Sequence, residues 1–160
     1  MTTAQATPTM SSSTDRFETE AVLDAPRARV WRALTDVKQF NEWFGVKLSG
    51  EFAPGRETSG HITIRGYEHV MMTLWVETMD PERRFAFRWH PFAIEQGVDY
   101  SKEPTTLVTF TLEDVEGGTR LTVVESGFDA IPEARRLPAF KANYSGWVGQ
   151  LKNIQKYLAG

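Results

Sequence analysis

The 160-residue sequence contains no cysteine, which excludes disulfide bonds, thiolate metal sites and cysteine nucleophiles. It has no apolar run long enough to span a bilayer, and its N-terminus lacks the basic start and apolar block of a secretory signal. A cytoplasmic location is therefore the default expectation. An excess of basic residues is also missing, because 18 Lys and Arg stand against 21 Asp and Glu, so no nucleic-acid partner is expected.

Several catalytic signatures are missing as well. There is no phosphate-cradling glycine loop and no dinucleotide-binding fingerprint. The segment Asn143–Trp147 lacks the first glycine of a nucleophile elbow and lies in a helical pattern. His61, His69 and His90 fall on separate predicted strands without metal-binding spacing. Neither a metal nor a cofactor is therefore expected.

The chain is expected to form one domain over residues 16–160, behind a flexible leader over residues 1–15 that is mostly Thr, Ser, Ala, Gln and Pro. Pro26 suits the first turn of a helix capped by Asp24, and Asp36 starts a second helix that ends at Gly45. The remaining short alternating runs predict strands at Phe17–Leu23, Leu48–Phe52, Thr58–Arg65, His69–Met79, Arg84–His90, Thr105–Glu113 and Thr119–Ser126.

The last fifth of the chain predicts one long amphipathic helix. Its apolar residues alternate at spacings of three and four, namely Leu137, Phe140, Tyr144, Trp147, Leu151, Ile154 and Leu158. Laid over an antiparallel meander, such a helix would enclose a pocket. The predicted fold class is therefore α+β, a helix-grip arrangement with a curved antiparallel sheet of about six to seven strands.

Strand alternation indicates which side chains face the interior. On the last strand Leu121 and Val123 face inward, and the same parity places Glu125 inward. A buried Glu125 would be a polar anchor or an acid/base group in a pocket. Because glutamate is rarely fully buried, an exposed Glu125 at the strand end is the more economical interpretation. Parity also places Glu68 on the side of the inward-facing Met72.

These patterns yield a set of candidate ligand-binding residues. Apolar walls would come from Trp43, Phe44, Met72, Trp89, Phe110, Tyr144 and Trp147. Polar contacts would come from Glu68, Glu125 and Asn143. Packing in the core is the alternative role for each aromatic side chain.

The chain resembles a known family over about residues 16–159. The matching residues are Val22–Pro26, Val30–Asp36, Trp43–Phe44, Pro81, Arg83–Phe85, Trp89, Gly118–Phe128, Gly146–Trp147, Leu151 and Tyr157–Leu158. They are similar to homologues of the activator of heat-shock protein 90 ATPase. The resemblance implies the START-like fold of birch-pollen allergen, polyketide cyclases and lipid-transfer domains, with a cavity between sheet and C-terminal helix. It implies no shared catalytic set.

Three functions are compatible with this sequence. The first is a binding protein that holds a hydrophobic or aromatic small molecule between the sheet and the C-terminal helix. The second is a cyclase-like, dehydratase-like or hydrolase-like enzyme that uses Glu125 as its acid/base group. The third is a chaperone-interacting module, which is less expected because only a short polar leader stands where the eukaryotic activator carries its chaperone-binding domain. Edge strands would also permit a homodimer.

Overall fold

The computed structural model describes residues 12–160. The leader expected over residues 1–15 falls largely outside these residues. Ser12 contacts the distant Asp129 through its backbone N–H at 2.9 Å and its hydroxyl at 2.6 Å. The Asp15 carbonyl accepts hydrogen bonds from the N–H groups of Gly127 and Phe128. Residues 12–15 therefore contact the segment that follows β6.

Six antiparallel strands form one curved sheet in the order β1-β6-β5-β4-β3-β2. Their bounds are Arg16–Leu23 (β1), Glu57–His61 (β2), Met71–Asp80 (β3), Arg84–Trp89 (β4), Thr106–Val115 (β5) and Gly118–Ser126 (β6). Strands β2 to β6 run as a meander, and β1 pairs with β6 at the far end. This arrangement confirms the predicted α+β class and its meander.

Within residues 12–160 three α-helices accompany the sheet: Arg27–Thr35 (α1), Val37–Phe44 (α2) and Glu133–Ala159 (α3). The Asp36 side chain caps α2 by accepting the Lys38 N–H, and Gly45 ends that helix at a φ of 91°, both as predicted. The expected cap by Asp24 is wrong, because Pro26 precedes α1 without any side-chain cap.

The predicted strand Leu48–Phe52 is also wrong. Its neighbour Val46 forms an isolated bridge with Ile62, but Gly50 takes a φ of 85°, which lies outside the extended region and interrupts the run. The side chains of Leu48 and Phe52 are nevertheless buried, so the alternation reflected packing against the core rather than pairing in the sheet.

Helix α3 packs on the sheet and on α1 and α2, but its predicted stripe is only partly buried. Trp147, Leu151 and Ile154 lie in the core, whereas Leu137 is 46% and Tyr144 is 44% exposed. A mean repeat of 3.5 residues drifts by roughly 20° per heptad against an ideal helix. The early members of the stripe therefore turn outward, and the stripe no longer defines one buried face.

Candidate functional site

Glu125 is fully buried, with 0% of its surface exposed, and its carboxylate is surrounded by hydrogen-bond donors. The exposed Glu125 expected at the strand end is therefore wrong. Oε2 accepts hydrogen bonds from Trp89 Nε1 at 2.9 Å, Thr106 Oγ1 at 2.6 Å and Asn143 Nδ2 at 3.0 Å. Oε1 accepts from Trp147 Nε1 at 2.9 Å and from Asn143 at 3.1 Å. We call these five residues the Glu125 cluster.

Adjacent strand ends bring the Glu125 cluster together. Trp89 ends β4, Thr106 begins β5 and Glu125 lies one residue before the end of β6, so all three meet at one end of neighbouring strands. Asn143 and Trp147 are four residues apart on α3, which places them one turn apart on the same face of that helix. The cluster is therefore the point where the helix is joined to the sheet by polar contacts.

Burial raises the pKa of Glu125 above its usual value, because the charged form loses its hydration. Hydrogen bonds from Thr106, Trp89, Trp147 and Asn143 act in the opposite direction by stabilising the carboxylate. The indole N–H groups can only donate, so they match an acceptor at this position. Both oxygens of Glu125 already accept hydrogen bonds from these side chains, so the carboxylate has a structural role.

Aromatic rings fill the space between α3 and the sheet beside this cluster. The ring centre of Trp147 lies 5.4 Å from Phe110, 5.7 Å from Trp89 and 5.8 Å from Phe44. These separations are those of packed aromatic pairs. The interior beneath Trp147 is therefore a filled core, whereas the sequence predicted a ligand cavity there.

An open groove lies next to this core, beyond Trp89 and Asn143. Its volume is about 770 Å³. It is lined by the start of β3 and the chain before it, by the end of β4 and the β4–β5 loop, by the middle of α3, and by Phe44 of α2 and Glu57 of β2. Its aromatic walls are Phe44, Tyr67, Trp75, Trp89, Phe92 and Tyr100. This groove and the Glu125 cluster share two residues, so the cluster forms part of the groove's inner wall.

Exposed apolar side chains concentrate at this groove. Seven large hydrophobic residues among residues 12–160 are exposed, and four of them line the groove: Ile64, Tyr67, Met71 and Val98. The other three, Val22, Leu137 and Tyr144, lie outside it. Clustered exposed apolar surface commonly marks a binding site, whereas scattered residues need no explanation.

The loop between β4 and β5 forms one side of the groove, and Arg135 of α3 holds it. The guanidinium donates to the carbonyls of Pro91 and Phe92 at 3.0 Å and to the Glu103 carboxylate at 2.7 Å. It also stacks 4.6 Å from the ring centre of Tyr100. A planar guanidinium can satisfy several acceptors at once, so one side chain fastens both ends of the loop to the helix.

Two histidines bind the same loop from the sheet side. His69 Nε2 lies 2.7 Å from the Ile94 carbonyl, and His90 Nε2 lies 3.0 Å from the Glu103 carbonyl. A carbonyl oxygen only accepts, so Nε2 carries the proton in each ring. These histidines are therefore engaged in loop contacts. Residues 12–160 contain no cluster of three His, Cys, Asp or Glu side chains arranged to hold a metal ion.

The structure brings together some of the predicted site residues. Phe44, Met72, Trp89 and Asn143 line the groove. Glu125, Phe110 and Trp147 lie in the filled core, with Glu125 behind Trp89 and Asn143.

Three other predicted site residues lie elsewhere. Trp43 is buried, and its indole N–H donates to the Ala33 carbonyl at 2.7 Å, which ties α2 to α1. Tyr144 is exposed on α3 and packs its ring against the edge of Phe17. Glu68 is exposed in the turn before β3, where it accepts the Gly66 N–H and does not face the interior. Its parity was misleading because the strand begins only at Met71.

Sequence reasoning missed Thr106 and most of the loop side of the groove. Thr106 has the parity of Val108 and Phe110, so its inward position was available from the alternation. Arg135 and Glu103 gave no such signal, because their pairing joins a loop without periodicity to a helix 32 residues away.

The curved antiparallel sheet, the long C-terminal helix and the groove at one end of the sheet define a START-like protein. A family model described as activator of Hsp90 ATPase homolog 1-like protein matches residues 24–159. The chain therefore belongs to this family, as the sequence motifs indicated. No curated protein matches it significantly.

Solved structures agree with this assignment of the fold. Protein MLL2253 from Mesorhizobium loti is 22% identical, with a TM-score of 0.71, over 90% of this chain and 96% of that protein. A protein from Arthrobacter aurescens is 21% identical, with a TM-score of 0.73, over 91% of this chain and 87% of that one. DynU16, a protein in the dynemicin biosynthetic locus, is 26% identical, with a TM-score of 0.70; the match covers 91% of this chain but 47% of DynU16.

Among residues 12–160, α3 is the longest helix, and neither it nor any other helix combines the length and apolar character needed to cross a membrane.

Proposed function

We propose that the protein binds a hydrophobic or aromatic small molecule in the groove between β3, the β4–β5 loop and α3. The observation that carries this proposal is the concentration of exposed apolar side chains there: Ile64, Tyr67, Met71 and Val98. Exposing apolar surface costs free energy, and a ligand that covers it recovers about 25 cal/mol for each Å². A volume of about 770 Å³ lies within the range of small-molecule sites.

The Glu125 cluster supports this role indirectly. Glu125 holds the indole of Trp89 and the amide of Asn143, and these two residues form the inner wall of the groove. A wall fixed by buried hydrogen bonds loses little side-chain freedom when a ligand binds. Glu125 is thus proposed as a positioning residue, and its side chain does not line the groove.

The same geometry gives little support to an enzyme that uses Glu125 as acid or base. A general acid or base must reach the proton that it transfers, and Trp89 and Asn143 stand between Glu125 and the groove. Four side chains already occupy both oxygens. Small-molecule binding therefore requires fewer rearrangements than catalysis.

The proposal is tested by titrating the protein with Nile red, an uncharged dye whose fluorescence rises in apolar surroundings. We expect saturable binding that also quenches tryptophan fluorescence, because Trp75 and Trp89 line the groove. The substitution Val98→Ser at the groove should weaken binding about fivefold, since one apolar contact of roughly 1 kcal/mol is lost.

Val22→Ser is the matched control, because Val22 on β1 is 47% exposed and Val98 is 46% exposed. Binding to this variant should equal that of the wild type. Absence of saturable binding, or equal loss in both variants, would refute the groove as the ligand site.

A further inference from the structure

The charged side chains that line the groove all have the same sign. Glu57, Glu95 and Asp99 line it, and none of the lining residues within the described part of the chain is Lys or Arg. They come from β2 and from two positions of the β4–β5 loop, so separate segments supply the charge. An apolar groove of this kind therefore carries a negative potential.

Local hydrogen bonds hold two of these carboxylates in place. The Ser101 N–H donates to Asp99 at 2.9 Å, and hydrogen bonds from Ser101 lower the pKa of Asp99. Glu57 accepts the indole N–H of Trp75 at 2.9 Å, which holds the carboxylate beside an aromatic ring. An ionised carboxylate with remaining lone pairs can accept further hydrogen bonds from a ligand.

The aromatic walls favour the same sign of ligand charge. Six aromatic side chains line the groove: Phe44, Tyr67, Trp75, Trp89, Phe92 and Tyr100. Aromatic faces attract cations through their quadrupole, and Trp is the best of them. Tyr100 already shows this behaviour, since the Arg135 guanidinium lies 4.6 Å from its ring centre.

The basic groups that contact the β4–β5 loop are engaged in hydrogen bonds. Arg135 pairs with Glu103 at 2.7 Å, so its charge is balanced by a carboxylate outside the groove lining. His69 and His90 each direct Nε2–H to a carbonyl of the β4–β5 loop. The groove lining therefore holds three carboxylates and no Lys or Arg side chain.

We propose that the groove selects cationic aromatic molecules, such as an aryl amine, over neutral and anionic ones. This inference rests on the proposed function, because it names the class of ligand for the same groove. At a separation of about 6 Å in water, one carboxylate favours a monovalent cation about threefold over a neutral molecule and disfavours an anion about threefold. The groove carboxylates are therefore expected to favour a cation over an anion by about tenfold or more.

The test uses three probes that share one ring system and differ in charge: anthracenylmethylamine, anthracenylmethanol and anthracenecarboxylate. Each is titrated at about pH 8, where the amine is still largely protonated. The expected order of affinity is amine, alcohol, carboxylate, with the amine about tenfold or more tighter than the carboxylate. Added salt should reduce this ratio.

Two triple variants locate the preference. Glu57→Gln, Glu95→Gln and Asp99→Asn together should bring the ratio of amine to carboxylate affinity close to one. The matched control also removes two glutamates and one aspartate, through Glu113→Gln, Glu116→Gln and Asp114→Asn. These three residues lie at the β5–β6 hairpin, at the end of β5 away from the groove. Both triples change the net charge equally, so the control should keep the preference. The single variant Glu95→Gln, on an exposed loop, serves if a triple variant folds poorly.

The outcomes separate the two proposals. Equal binding of amine and carboxylate, or a preference that survives in the groove triple, would overturn the charge selectivity while leaving the groove as a binding site. If no probe binds, including the neutral alcohol, the proposed function itself fails.

Discussion

The filled core around Glu125 and the open groove beyond Trp89 are built from the same kinds of side chain. Both combine aromatic rings with carboxylates, and they share Trp89 and Asn143. In the core, the polar side chains around the Glu125 carboxylate donate hydrogen bonds to it, and the aromatic rings contact each other. In the groove, three carboxylates stand among rings that leave about 770 Å³ open.

This difference shows why the core around Glu125 is closed while the groove stays open. Glu125 can be buried only because Thr106, Trp147 and their partners satisfy it, and those contacts draw α3 onto the sheet. The groove lies where the irregular β4–β5 loop stands beside α3, and Arg135 holds the loop at its ends. The core and the groove are thus similar in residue composition, and they differ in how many hydrogen-bond donors surround their carboxylates.

The largest effect is expected from Glu125→Leu, which removes every acceptor from the core cluster. Two indole N–H groups, an amide and a hydroxyl would then lose their partner. We expect the free energy of unfolding to fall by about 3 kcal/mol or more, measured by urea denaturation. Glu116→Leu, at an exposed position in the β5–β6 turn, should change it by less than about 0.5 kcal/mol. Similar small changes in both variants would show that the buried Glu125 is as dispensable as an exposed carboxylate.

A smaller effect is expected from Arg135→Lys, which loosens the groove while leaving the core intact. Lysine keeps the charge but cannot bind Glu103 and two carbonyls at once. Stability should fall by about 1 kcal/mol, and hydrogen exchange should accelerate over residues 92–103 but not in β6. Arg136→Lys is the control, because Arg136 has one such contact, to the Ile131 carbonyl. Uniform acceleration across the sheet would mean that the loop and the core open as one unit.

The pH dependence of stability separates the buried carboxylate from the exposed ones. Burial raises the pKa of Glu125 above the ordinary value of 4.5, so the folded state holds this proton more tightly than the unfolded chain. The stabilisation from this group is present below that ordinary value and is lost as pH rises through the raised pKa. The free energy of unfolding of the wild type, minus that of Glu125→Gln, should therefore fall as pH rises above 4.5. A difference that grows with pH would mean that the donors outweigh burial.

The smallest effect on stability is expected from Met71→Ser at the groove, where the side chain is 52% exposed. The free energy of unfolding should change by less than about 0.5 kcal/mol in thermal or urea denaturation, while Nile red affinity falls severalfold. Leu137→Ser, on the exposed side of α3, should leave that affinity unchanged. A large loss of stability in Met71→Ser would contradict the separation between a binding groove and a structural core.

Alternation predicted the inward set of the sheet well, because period two is local and survives folding. Val108, Phe110, Leu121 and Val123 are buried as expected. The same rule failed for Glu68, which lies before the strand begins, and the helical stripe failed at Tyr144 because its repeat drifts around α3. Strand parity correctly predicted that Glu125 faces inward, whereas the general rarity of buried glutamate led to the wrong expectation of an exposed side chain.

The residues alone were sufficient for the α+β class, the long C-terminal helix, the START-like family and the inward parity of Glu125, since each depends on spacing or motifs along the chain. The location of the groove was not accessible in this way. It depends on Arg135 reaching a loop 32 residues earlier at Glu103, and on Trp147 and its neighbours filling the space where a cavity was expected. Contacts between distant segments leave no periodic trace, and only folding reveals which side chains are left over to line an opening.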